Sequence, residues 1–181
     1  MNTLIYKATV KKAILFSILF AGSYILINFT GIGVASLLKI TNGANILDFE
    51  FGYSQEMAYQ MLTALGTEGR AFYLSRIVPM DFPFPFTYML CYAGWITLLL
   101  KLNTLKAWSK YLLFIPVFAM LFDWLENLGI IVMLWNYPNL PAWAVYTASG
   151  SGMLKTVFTV GSIATIVVLL IIFGLSRLKN R

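Results

Sequence analysis

The sequence predicts an all-α integral membrane protein with four transmembrane helices in an up-and-down bundle. One or two short amphipathic helices are expected between the first and second. Three observations carry this. Of 181 residues, 60% are hydrophobic and only 11% charged, where a soluble domain is about a quarter charged. The mean hydropathy is +0.79. Four apolar stretches, residues 13–38, 84–100, 111–136 and 153–175, can each cross the ~30 Å of bilayer hydrocarbon as a helix. No linker, internal repeat or low-complexity segment divides the chain, so residues 1–181 read as one membrane domain.

Charge and composition exclude several function classes. The net charge is +6, but the basic residues sit in short clusters beside apolar spans, as topology signals do. A basic face suited to nucleic acid is missing, so no nucleic-acid partner is expected. There is no histidine, which excludes histidine-ligated haem, histidine metal sites and histidine acid–base catalysis. Cys91 is the one cysteine. It allows no internal disulfide and reads as a small packing residue. Walker, Rossmann, GxSxG and zinc patterns are absent, and neither a cofactor nor a metal is expected.

Taken in order, the chain begins with a basic segment holding Lys7, Lys11 and Lys12. The apolar run 13–38 follows. It is too long for a cleaved signal and reads as the first transmembrane helix. Ser17, Ala21, Tyr24, Asn28 and Ala35 fall near one face, and a small-and-polar stripe in a membrane normally faces other helices. For Asn28 the expectation is an interhelical hydrogen bond, with ligand contact as the alternative.

Residues 41–83 form the one sizeable non-spanning region, with Asp48, Glu50, Glu56, Glu68 and Asp81 against Arg70 and Arg76. Ser54 is placed to cap a helix running to Leu65, with Gly66 as its stop. A second short helix is predicted between Thr67 and Pro79. Both read as interfacial helices capping the outer end of the bundle. The alternative is a lid whose Glu68, Arg70 and Arg76 face a cavity. Asp48 and Glu50 could bind a cation, on a weak signal. Residues 51–74 look motif-like without pointing to an activity.

Pro83 and Pro85 suit the start of the second span. If helical phase holds through them, Asp81, Tyr88, Tyr92 and Trp95 share a face. A connection with Lys101, Lys106 and Lys110 leads to the third span. Trp135 and Trp143 near the turn after it suit a headgroup-level belt. Residues 149–152, Ser-Gly-Ser-Gly, could break a helix, so the fourth span is set from Met153 to Leu175, before Arg177, Lys179 and Arg181. The N-terminus, the 101–110 connection and the C-terminus hold nine of the 13 basic residues. The positive-inside rule then puts both termini in the cytoplasm of a plasma (inner) membrane.

The chemistry concentrates in the third span. Asp123, Glu126 and Asn127 share one helical face, roughly 18 to 24 Å from its cytoplasmic end. An ionised carboxylate there costs at least ~2.5 kcal/mol, and two within one turn repel, so the pair is expected to share a proton. Such groups must face the bundle and need partners. Pro116 is expected to kink the helix and open space. Lys155, on one face of the fourth span with Thr159 and Ser162, is the best partner, although it could instead point to headgroups. The expected site has Asp123, Glu126 and Asn127 at its floor, Tyr88 and Asn28 on its walls, and Lys155 and Asp81 at its mouth.

This layout resembles that of the four-helix EXPERA-type membrane proteins, which include sterol isomerases and sigma-2-type sterol-binding proteins. The resemblance implies acidic residues inside the bundle around an apolar ligand. It is one of layout, and no residue is carried over from it. The leading expectation is a small membrane protein whose polar pocket, in the outer half of the bundle, binds a lipid-like or amphipathic molecule. A structural or accessory subunit of a membrane complex, and an oligomeric proton-coupled transporter, are the alternatives. The expected partners are the bilayer, a lipid-like ligand, and a second copy or another membrane subunit.

Overall fold

The structure is a computed structural model and describes residues 2–103, 105 and 107–179. It is 84% helical, with no strand among the described residues. Four helical stretches, Val10–Ile40, Gly66–Asn103, Ser109–Asn136 and Ala142–Lys179, are long and apolar enough to cross a membrane. The fold is an all-α membrane bundle. Lys106 and Arg181, two of the basic residues behind the orientation argument, lie outside the described residues.

After a short helix α1 (Asn2–Tyr6), the first span is two helices rather than one, α2 (Val10–Phe29) and α3 (Val34–Ile40). The chain leaves the helix at Thr30 and re-enters it at Gly33, both in extended conformation. Side chains take over carbonyls near the break: Thr30 Oγ1 donates to Leu26 O at 2.7 Å, and Ser36 Oγ to Gly31 O at 2.7 Å. Outside its N-terminal turn, α2 packs on what becomes the second span. Its Ser17 hydroxyl accepts the Trp95 indole N–H at 2.9 Å, Ser23 pairs with Thr87 at 2.7 Å, and the Phe20 ring meets Phe84, Tyr88 and Tyr92. The anticipated stripe holds in part: Ser17 faces the second span and the half-exposed Tyr24 ring packs on Phe84, whereas Ala21 is exposed.

The region between the first two spans departs most from expectation. Ser54 caps α4 (Gln55–Ala64), its hydroxyl accepting from Met57 N at 3.2 Å. Beyond Gly66 the chain does not form an isolated short helix. It continues through α5 (Gly66–Phe72), a wide π-type turn (Tyr73–Ile77) and α6 (Val78–Asp81), and breaks only at Phe82 and Pro83 before α7 (Phe84–Asn103). Pro79 directly follows the π-type turn, where Val78 N–H bonds to Tyr73 O five residues back and the regular ladder is already interrupted. The whole path belongs to the second candidate span. The segment also contributes to the core. Leu37, Ile46, Leu47, Leu62, Tyr73 and Ile77 are buried in the largest apolar core, with Ile130 and Met133 of the third span and Ala144 and Ala148 of the fourth.

The third span opens with a 3-10 turn (Ala107–Leu113) and continues as α8 (Phe114–Asn136). Pro116 therefore falls in its first turn rather than mid-helix, so the expected kink has no cause there. The fourth span is one helix, α9 (Ala142–Lys179), and starts well before Met153. The Ser-Gly-Ser-Gly stretch does not break it. Small residues here let two backbones approach: a Cβ on Gly129 would lie 2.7 Å from Ala148 Cβ and 2.9 Å from Ala144 O. This close α8–α9 seam positions the acids.

Candidate functional site

α8 turns Asp123, Glu126 and Asn127 inward, leaving them 3%, 0% and 1% exposed. Spacing of three and four along a helix puts them on one side, and the glycine seam brings α9 against that side. Lys155 of α9 forms an ion pair with Glu126 and lies 3.8 Å from Asp123 Oδ1. Gly152, one turn before Lys155, leaves the room that the Glu126 carboxylate occupies; a methyl group there would collide with it.

The second span supplies the rest. Tyr88 donates its hydroxyl to Asp123 Oδ2 at 3.0 Å. Asn127 Nδ2 reaches Asp123 Oδ1 at 3.4 Å and the main-chain oxygen of Asp81 at 3.5 Å. The helix break after Asp81 is pinned as well, since the Trp124 indole N–H donates to Phe82 O at 2.8 Å. The structure thus brings together Asp123, Glu126, Asn127, Lys155, Asp81 and Tyr88. Asn28 stands apart from the hydrogen-bonded network. Its amide donates to Tyr24 O of its own helix at 2.9 Å, not to a neighbouring helix. The reason is local: the carbonyl one turn back is the nearest acceptor.

Sequence reasoning left out three contributors from the 41–83 region. Asp48 accepts the Tyr73 hydroxyl, while its Oδ1 is buried without a hydrogen-bond partner. The Tyr53 hydroxyl is likewise buried and unpaired. Burial, reinforced by the negative charges of Glu126 and Asp48, pushes that hydroxyl far above the ordinary tyrosine range, so it stays protonated. Tyr53 is held by its own N–H, which donates to Ser149 Oγ of α9 at 2.8 Å. A signal was present. Asp48 lies in Ile-Leu-Asp-Phe-Glu-Phe, an acid among large apolar residues, which marks a segment that packs rather than floats. Glu50 goes elsewhere, accepting from Asn45 Nδ2 at 3.2 Å, so the two do not form the cation site considered above. Among the described residues no group of three or more His, Cys, Asp or Glu side chains is placed to hold one metal ion. Arg70 does not form a lid over the acids. It donates to Leu62 O at 2.8 Å and lies 3.8 Å from the centre of the Tyr137 ring.

A cavity of about 180 Å³ adjoins the network. Asp48, Asp81, Asp123 and Lys155 stand in its wall, with apolar Ile27, Val34, Ile46 and Ile77 between them. Tyr24, Asn28, Phe49 and Phe84 also line it; Tyr24 and Phe49 are 46% and 53% exposed, which marks the open end. Glu126, Asn127 and Tyr88 lie behind the wall rather than in it. Replacing Tyr88 with Phe removes a donor from a buried carboxylate. The expected loss is about 1.5–3 kcal/mol of stability, read from thermal unfolding in detergent against wild type.

No family model matches the chain, and no curated protein or solved structure matches it.

Proposed function

We propose that this protein binds an amphipathic small molecule within the membrane, with the polar end of the ligand in the carboxylate-lined cavity. The supporting observation is that cavity itself: it joins Asp81, Asp123 and Lys155, deep in the bundle, to an open end at Tyr24 and Phe49. Its volume of about 180 Å³ is below the ~300 Å³ of the smallest drug-sized pockets. It therefore takes a headgroup, and the apolar part of the ligand leaves through the open end. In this reading Asp123, Asp81 and Lys155 contact the ligand, while Glu126, Asn127 and Tyr88 hold those groups in place. Both termini lie on the cytoplasmic side of a plasma membrane, by the distribution of basic residues.

A second reading, an accessory subunit, is favoured by a separate apolar groove of about 570 Å³, lined by Leu105 and Leu112 on one side and by Val168 and Ile172 of α9 on the other. There the network would serve only to join helices.

Native mass spectrometry of the purified protein distinguishes the two. Wild type is expected to retain a small-molecule adduct. Asp123→Asn and Val34→Phe are expected to lose it, the latter by filling the cavity while leaving every carboxylate in place. An adduct that persists in both folded variants, or a wild type that carries none, overturns the pocket reading.

A further inference from the structure

We propose that the polar end of this ligand is a cation, a primary or secondary ammonium carried on an apolar chain; the inference rests on the pocket reading above. Asp48, Asp81 and Asp123 share the cavity wall with one ammonium, Lys155, which pairs with Asp123 and with Glu126 behind the wall. Among the described residues Asp48 and Asp81 have no ion pair, and Lys155 makes every ion pair. The other cations of the neighbouring segments are turned away: Arg70 lies over Tyr137, and Lys39 and Arg76 are exposed.

Hydrogen-bond donors are short in the cavity wall, which the unpaired Tyr53 hydroxyl does not line. The Asn127 amide is used on Asp123 Oδ1 and the Asp81 main chain. The Asn28 amide is used on Tyr24 O. The Tyr73 hydroxyl goes to one Asp48 oxygen, while the other is buried without a partner. A wall rich in acceptors and poor in donors suits a ligand that brings donors and positive charge. An ammonium brings both. An alcohol brings one donor and no charge, and an anionic headgroup adds repulsion. Tyr24, Phe49 and Phe84 complete the match at the open end, since aromatic faces attract a passing cation. The carboxylates are not grouped to ligate one metal ion, whereas an ammonium needs no such convergence.

The test compares three probes of one chain length, dodecylamine, dodecanol and dodecanoate, titrated into the full-length protein in phosphatidylcholine nanodiscs. The Val34→Phe variant serves as the blank for bilayer partitioning. Dodecylamine is expected to bind at least about tenfold more tightly than dodecanol. Asp81→Asn and Asp48→Asn, both checked for helicity and monodispersity, are each expected to lower amine affinity about tenfold and so to shrink the preference for dodecylamine over dodecanol. Equal binding of amine and alcohol, or tighter binding of dodecanoate, overturns the cation assignment and leaves the pocket standing. Failure of all three to bind above the blank overturns the pocket and the assignment together.

Discussion

Lys155→Met is expected to destabilise the protein by about 3–5 kcal/mol, because it leaves a buried ion pair with one partner. Glu126 is 0% and Asp123 3% exposed, so neither can recover hydration without opening the α8–α9 seam. Changing both partners reverses the logic. In Lys155→Met combined with Glu126→Gln, no uncompensated charge remains at Glu126, and most of the lost stability is expected to return. Thermal unfolding of the wild type, the two single variants and the double variant in one detergent completes the cycle. A double variant whose loss equals the sum of the two single losses would show that Lys155 acts independently of Glu126.

The second large effect is expected at Gly129. A Cβ there meets backbone as well as side chain, at 2.9 Å from Ala144 O and 3.2 Å from Ala148 N, so no rotamer change relieves it. Gly129→Leu must separate α8 from α9, at a cost near the upper end of the ~1–3 kcal/mol typical of overpacking. The separation also lengthens the Lys155–Glu126 contact. Size-exclusion profiles and unfolding midpoints read the first consequence. The second appears as loss of coupling between Lys155→Met and Glu126→Gln in the Gly129→Leu background. A variant that unfolds like wild type would mean that the seam is not tight at this point.

The third span shows what a membrane sequence makes legible. Acids within an apolar run must turn inward, and the spacing of Asp123, Glu126 and Asn127 states which side that is. Lys155 was reachable by the same reasoning, since it is the one lysine at comparable height on the adjoining helix. The four spans follow from composition alone, because lipid leaves the backbone few alternatives to a helix. Elsewhere tertiary contact decided. Residues 149–152 have poor helix propensity, yet α9 runs through them because small residues permit the close approach to α8. Residues 46–77 looked like a surface cap from their polar content, but Leu47, Leu62, Tyr73 and Ile77 are core. Their burial depends on α8 and α9, far away in sequence, and so Asp48 and Tyr53 could not be placed beside the acids from local pattern. The break at residues 30–33 carried a visible signal, Gly31 and Gly33, which the length of the apolar run outweighed.

The pocket reading makes the space beside Asp81 and Asp123 a binding site and not a by-product of helix packing. Photolabelling tests it most directly. An alkyl amphiphile with a diazirine next to its headgroup is incorporated into nanodiscs with the protein, and labelled positions are mapped by peptide mass spectrometry. Labels are expected at the cavity wall, on Ile46, Phe49, Ile77 and Phe84, and are expected to disappear in Val34→Phe. Labels confined to the exposed apolar faces of α2 and α9, and unchanged in Val34→Phe, would contradict the account.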